Sequence, residues 1–272
     1  MDVDNSNQIR DNKIILFANQ KGGVGKTTSA VNLAGAFADS GLNVLVIDMD
    51  PQGNASTALG IPHGSDDITV YDVIEGRSSI QDAVKACPEF DTLDVVPSSI
   101  DLSGAELEIV DMDNRTGLLK QQLDNYINNS DKHYDYVIID CAPSLGLLVL
   151  NALCAVHEVL IPIQAEYYAL EGLGQLLNTI QLVQNSLNHN LVISTMLVTM
   201  FDKRTLLSRE VYGEIKEHYK DIVLDATIPR SVRISEAPSF NQTIITYDPK
   251  GNGSIAYREA ALEINNRAEG II

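Results

Sequence analysis

Apolar residues along the 272-residue chain fall into two alternating patterns. Short unbroken runs rich in β-branched residues, such as Val44-Leu45-Val46-Ile47 and Tyr136-Val137-Ile138-Ile139, alternate with longer segments in which apolar positions recur every three or four residues. The runs read as strands buried on both faces, and the periodic segments as helices lying against them. Strands are expected at Lys13–Ala18, Val44–Asp48, Leu93–Val96, Tyr136–Asp140, Glu158–Pro162, Leu191–Val198 and Ala226–Ile228. Helices are expected at Thr27–Asp39, Thr116–Asn128, Leu145–Ala155, Leu170–Leu187, Leu206–His218 and Ile255–Arg267. This alternation predicts an α/β fold with a mostly parallel twisted sheet and helices on both faces. Asn54–Asp113 holds shorter, less periodic pieces, expected to form a peripheral helical layer. No repeat, low-complexity tract or Pro/Gly-rich linker divides the chain, so residues 13–272 are expected to form one domain after a flexible segment, residues 1–12.

Composition narrows the function classes. Met1–Asn12 is polar and acidic, without the apolar core of a signal peptide. The most apolar long stretch, Leu145–Ile163, is interrupted by Asn151, His157, Glu158 and Pro162, which fits a buried helix and strand better than a membrane span. Three cysteines (Cys87, Cys141, Cys154) show neither metal-ligand nor disulfide spacing, and the five histidines are scattered. These features point to a reducing cytoplasm and away from a zinc site. The net charge of −18 argues at first against nucleic acid. Its distribution changes the picture: Met200–Ser235 carries seven Lys/Arg against six Asp/Glu, a net +1, leaving −19 for the remainder. An acidic body with one less acidic segment would confine polyanion binding to one face.

Three segments carry the chemistry. Gln20-Lys21-Gly22-Gly23-Val24-Gly25-Lys26-Thr27-Thr28 lies between the first expected strand and the first expected helix, the context a phosphate-binding loop requires. Its glycines let backbone N–H groups converge on phosphate oxygens at a helix N-terminus. Lys26 would reach the β/γ-phosphates and Thr27 would ligate Mg²⁺. Asp48 and Asp50, in Asp48-Met49-Asp50-Pro51-Gln52-Gly53-Asn54, follow the second expected strand, where open α/β sheets bind ligands. Asp140 ends an apolar strand, suiting a carboxylate that holds Mg²⁺ through water. No Ser/His/Asp order or Cys/His pair has supporting spacing, so ATP hydrolysis by water is the simplest chemistry.

Lys21-Gly22-Gly23-x-Gly25-Lys26-Thr27 resembles the deviant Walker A box of the ParA/MinD family of P-loop ATPases, whose extra lysine touches nucleotide in a partner subunit. The resemblance implies that Lys21 does so in an ATP-dependent homodimer. It also implies that residues Lys21 to Thr28, with Gly22, Gly23, Val24 and Gly25, bind ATP. Asp50 would orient and activate the attacking water, and Asp48 would support the Mg²⁺ shell. Asp140-Cys141-Ala142-Pro143-Ser144-Leu145-Gly146 matches the family's next box, a turn expected to move with the γ-phosphate.

Ala165-Glu166-Tyr167-Tyr168-Ala169-Leu170-Glu171-Gly172-Leu173, Met200-Phe201-Asp202-x-Arg204-Thr205 and Ile228-Pro229-Arg230-Ser231-Val232-Arg233 resemble chromosome-partitioning ParA (Soj) proteins. That resemblance implies nonspecific binding of double-stranded DNA through Arg204 and Arg233, and hydrolysis stimulated by a ParB-type centromere-binding partner. Pro229 and Arg230 would border the adenine pocket, although Arg230 also reads as a surface cation. The 12 residues before the first strand are too few for the winged-helix extension of larger plasmid relatives. The implied protein partitions a chromosome or plasmid and is cytoplasmic and nucleoid-associated. A MinD-like membrane-associated switch controlling division-site placement is the alternative; it requires a basic amphipathic tail, and Glu263, Glu269 and the single Arg267 make a poor one. A metabolic enzyme of the same fold is a third reading, which lacks a visible substrate constellation.

Overall fold

The computed structural model describes residues 12–144, 146–166 and 171–271. Its strands are β1 (Lys13–Phe17), β2 (Val44–Met49), β3 (Lys85–Ala86), β4 (Leu93–Val96), β5 (Tyr136–Cys141), β6 (Glu158–Gln164), β7 (Val192–Phe201) and β8 (Val223–Pro229). They form one sheet of order β3-β4-β2-β5-β1-β6-β7-β8. Every neighbouring pair is parallel except β3–β4. The helices are α1 (Lys26–Asp39), α2 (Asn54–Ala58), α3 (Val70–Ile74), α4 (Ile80–Ala83), α5 (Leu102–Glu108), α6 (Leu118–Asn129), α7 (Leu147–Ala155), α8 (Glu171–Ser186), α9 (Leu206–His218), α10 (Val232–Glu236), α11 (Ile244–Tyr247) and α12 (Asn252–Ala268).

Alternation along each strand divides the apolar residues between two cores. Ile14, Leu16, Leu45, Ile47, Val137 and Ile139 face one layer, filled by α6, α7, α8 and α9 through residues such as Leu123, Leu153, Ile180 and Ile215. Ile15, Phe17, Val44, Val46 and Ile138 face the other, filled by α1, α11 and α12 through Val31, Phe37, Ile244 and Tyr257. Because both faces are covered, the central strands show no polar alternation. The expected α/β architecture is therefore the observed one.

The differences lie in short elements. β3 was not expected: two residues carry no periodicity, and it pairs antiparallel at the sheet edge. Lys85, in that strand, is tied to Asp67 and to the Pro62 carbonyl. The helical pieces α10 and α11, with a 3-10 turn at Ala237–Phe240, were likewise not expected. None spans two helical turns, the minimum over which a 3.6-residue period becomes visible. β6 and β7 run past their expected ends, to Gln164 and Phe201, where they form a wall beside the glycine-rich loop.

Candidate active site

The carboxyl ends of β1, β2, β5, β7 and β8 deliver the chemistry-bearing residues to one edge of the sheet. The loop from Ala18 to Gly25 leaves β1 and enters α1. Gly25 caps α1 at φ 86° and Gly23 lies at φ 75°, both in the left-handed region that side chains rarely adopt. No side chain caps α1 and no acidic residue occupies its first turn, so its leading N–H groups are available to an anion. Three contacts hold the loop from behind. Asn19 donates to the Pro162 carbonyl at 2.8 Å and accepts from the Lys21 N–H at 3.0 Å, and the Thr199 hydroxyl donates to the Val24 carbonyl at 2.8 Å.

The loop's two lysines point to different environments. Lys26 is only 7% exposed and donates to the Lys21 carbonyl at 3.4 Å. Burial pushes its pKa down, opposed by the charges of Asp140 and Asp50. The Lys21 side chain is 39% exposed, with its ammonium 3.3 Å from Glu166.

Opposite Lys26 stand Asp48, Asp50 and Asp140. Asp48 and Asp140 are register partners across β2 and β5, and both are fully buried. Asp48 Oδ2 accepts from the Ser56 N–H at 2.8 Å and hydroxyl at 2.7 Å, while Oδ1 accepts from the Asp50 N–H at 3.1 Å. Burial is the larger influence and raises its pKa despite these donors. Asp50, 8% exposed, accepts from the Gln52 N–H at 3.0 Å.

Neither oxygen of Asp140 meets a donor in good hydrogen-bond geometry, although the Thr27 hydroxyl lies close enough to favour the charged form. Burial, then the neighbouring charge of Asp48, pushes the Asp140 pKa far above the carboxylate range. A buried acid with orphaned oxygens beside a hydroxyl fits a hard divalent cation. Thr27 and Asp140 would hold Mg²⁺ there, and Asp48 would contribute charge with its oxygens already engaged. The ion supplies charge neutralisation for transferred phosphate. Among the described residues no group of three or more His, Cys, Asp or Glu forms a ready-made metal cage. Mg²⁺ takes few protein ligands and completes its shell with phosphate and water.

A cavity of about 570 Å³ opens over this cluster, bounded by the glycine loop, Asp50, Gln52 and Pro143, with Ile100 and Ser103 reaching in from the start of α5. A second, of about 440 Å³, lies between the ends of β7 and β8 and the start of α12, lined by Phe201, Thr227, Pro229, Arg230 and Ile255. The first is lined by the glycine loop and Asp50, and the second by apolar side chains together with Arg204, Arg230 and Glu259. A larger recess of about 740 Å³ sits at the opposite, amino ends of the strands, lined by Lys13, Lys132, His133 and Glu158. It has no glycine loop or helix N-terminus, so size does not decide between them.

Arg204 lies on the wall of the second cavity with Arg230. Its guanidinium forks onto Asp202, Nε to Oδ1 at 2.9 Å and Nη2 to Oδ2 at 2.8 Å, yet its side chain is 85% exposed. Those bonds hold the Asp202 pKa down to about 2. Arg233, on α10, donates to the Tyr247 hydroxyl at 3.2 Å, stacks on that ring and lies 3.6 Å from Glu236. Both of these arginines therefore already have an acidic neighbour.

Leu145 and Tyr167, Tyr168, Ala169 and Leu170, all in segments that carry the family resemblance, lie outside the described residues, as does the chain before Asn12. Sequence reasoning did not single out Ser56, Thr199 or Ile100. Neither Ser56 nor Thr199 follows from a local pattern: Ser56 reaches back eight residues to Asp48, and Thr199 reaches Val24, 175 residues away.

A glycine loop between a central parallel strand and a helix, with a buried lysine and an orphaned aspartate facing it, defines a P-loop ATPase. The family model for the AAA domain matches residues 12–193. The sporulation initiation inhibitor protein Soj of Bacillus subtilis (strain 168) is 49% identical over 252 residues, 93% of this chain and 98% of that protein. The chromosome partitioning protein ParA of Caulobacter vibrioides is 46% identical over 255 residues, 94% of each chain. A Mycobacterium smegmatis structure described as cobyrinic acid a,c-diamide synthase with bound ADP and magnesium superposes with TM-score 0.82 at 35% identity, covering 96% of this chain and 97% of that one. The chain belongs to the ParA/Soj family of chromosome-partitioning ATPases.

Proposed function

We propose that two copies of this ATPase close face to face around two ATP–Mg²⁺ molecules, each Lys21 reaching the nucleotide of the other subunit. The contrast between the loop's lysines carries the reading. Lys26 is buried toward its own phosphate cavity, whereas Lys21 is half-exposed, so a second surface can be reached by Lys21 alone. Lys21, Lys26 and Asp50 are the catalytic residues, with Asp50 activating water. The loop from Lys21 to Thr28, with Pro229 and Arg230, binds ATP, and Thr27, Asp48 and Asp140 serve the metal.

The dimer binds duplex DNA nonspecifically through Arg204 and Arg233, because phosphate contacts supply affinity without reading bases. Doubling the surface on dimerisation raises affinity by avidity, so nucleotide state gates DNA binding. A ParB-type partner stimulates hydrolysis and releases the dimer, moving chromosome or plasmid DNA on the nucleoid in the cytoplasm. Residues 13–272 act as one ATPase domain. Binding to random-sequence duplex with ATP, with ADP and without nucleotide, across a salt series, tests this. Tight, salt-sensitive binding confined to ATP is expected; equal binding in all three states overturns it.

The MinD-like alternative asks α12 to leave the body for a membrane. Its apolar positions Ala256, Tyr257, Ala260 and Ile264 are packed in the core, and Glu263 accepts from the Asp225 and Ala226 N–H groups at 2.9 and 3.0 Å. Among the described residues no helix is long and apolar enough to cross a membrane. A glutamine-dependent synthetase would use a reactive thiol, whereas Cys87, Cys141 and Cys154 are all buried with pKa values raised by burial.

A further inference from the structure

Lys21 is held within its own subunit by one carboxylate. Glu166 Oε2 lies 3.3 Å from Lys21 Nζ, and Glu166 Oε1 accepts from Gln164 Nε2 at 2.5 Å. The same Oε1 faces Arg230 Nη2 at 3.8 Å. Glu166 stands just past β6, Lys21 just past β1, and Arg230 just past β8. Since β1, β6, β7 and β8 are consecutive in the sheet, this carboxylate reaches from the phosphate loop to the wall of the second cavity.

We infer that Glu166 is a positioning residue that parks Lys21 in its own subunit until the ATP-bound dimer forms, then passes to Arg230. The inference rests on the reading of Lys21 as the lysine that crosses the interface. Lysine is a flexible point charge whose partner is chosen by the local field. A polyphosphate offers more negative charge than one carboxylate, so nucleotide on the facing subunit competes for Lys21 successfully. The exchange does not strand Glu166, because Arg230 is already beside it and Gln164 continues to donate. Parking lowers the encounter of empty subunits, since the ammonium that would bridge them is neutralised.

Both partners are about half-exposed, so the contact is modest: an exposed ion pair shifts an equilibrium by about two- to fivefold. Both subunits must release, so the dimer dissociation constant changes by the square of that factor. The effect weakens with salt over the range in which the Debye length shrinks to contact distance.

The test uses the full chain and Glu166→Gln, which retains the shape and an acceptor for Gln164 while removing the charge. Dimerisation with Mg²⁺ and the non-hydrolysable analogue AMPPNP is measured by sedimentation at low and high salt. Lys21 reactivity toward acetic anhydride is measured by mass spectrometry in nucleotide-free protein. The inference expects E166Q to dimerise more tightly, by about 4- to 25-fold at low salt, and Lys21 to label about two- to fivefold faster. Arg230→Gln gives the opposite sign: without its second partner, Glu166 holds Lys21 harder and labelling slows. Unchanged labelling in both variants, or unchanged dimerisation in E166Q, overturns the inference. Dimerisation of Lys21→Ala at wild-type strength instead overturns the reading of Lys21, and the labelling arm still reports whether Glu166 holds it.

Discussion

Ser56 gives both its donors to one oxygen of Asp48: its N–H at 2.8 Å and its hydroxyl at 2.7 Å converge on Oδ2. The acid at the end of β2 thereby fixes the turn that carries Asp50. Ser56→Ala removes one donor from a fully buried carboxylate, a loss of about 1–3 kcal/mol. The melting temperature should fall by roughly 3–8 °C, read by calorimetry on nucleotide-free protein. An unchanged Tm would show that Ser56 does not support this acid.

Asp140 should make the nucleotide-free fold pH-sensitive. Its folded pKa is raised above the unfolded value, chiefly by burial. Its contribution to stability is therefore full below about pH 4 and is lost as pH rises through the raised value. Asp140→Asn removes that dependence, so at pH 7–8 the variant should melt a few degrees higher than wild type while hydrolysing no ATP. Urea titrations from pH 4 to 8 on both proteins check the slope, and parallel curves would contradict it.

Asp50→Ala should separate binding from hydrolysis. Removing a group that activates water lowers turnover by about 10²–10⁴-fold. Phosphate binding by the loop and Mg²⁺ binding at Thr27 and Asp140 remain, so the ATP-bound dimer should persist on DNA. Retention of wild-type turnover would remove Asp50 from its catalytic role.

Changes at Arg233 and at Asp202 should move DNA binding in opposite directions. Arg233→Glu should abolish binding to random duplex at moderate salt while sparing ATP-dependent dimerisation. Replacing Arg233 by Ala should reduce the salt slope by about 2, one phosphate for each subunit of the dimer. Asp202→Asn should tighten DNA binding, because it frees the Arg204 guanidinium from the carboxylate on which it forks. Unaltered affinity in these variants would move the DNA surface elsewhere.

Much of the nucleotide site was legible in the sequence because its parts are local. A glycine loop must sit between its strand and helix, and an aspartate ending an apolar run must reach the carboxyl edge of the sheet. Val44–Ile47 and Tyr136–Asp140 were readable as strands because both faces are buried and no polar alternation interrupts them. Lys21 and Glu166, by contrast, lie 145 residues apart. Their contact follows from β6 lying next to β1, a fact of strand order that no local pattern encodes. The same holds for Thr199 and Val24, 175 residues apart. The forked Arg204–Asp202 pair was adjacent in sequence but not evident, since a side chain two residues away in a loop can point anywhere. Thus the motif residues and their placement at the sheet edge were readable locally, and the contacts around them required the three-dimensional arrangement.

Met200 occupies the left-handed region at φ 51°, a conformation that residues other than glycine, Asn and Asp seldom adopt. On one side of it Thr199 is fastened to the phosphate loop; on the other, Phe201 lines the second cavity, and Asp202 and Arg204 follow within four residues. A residue held in so sparsely populated a conformation persists only where the structure around it over-determines the backbone. The backbone that ties the phosphate loop to β7 and the backbone that lines the second cavity thus meet at one residue already displaced from its easy conformation.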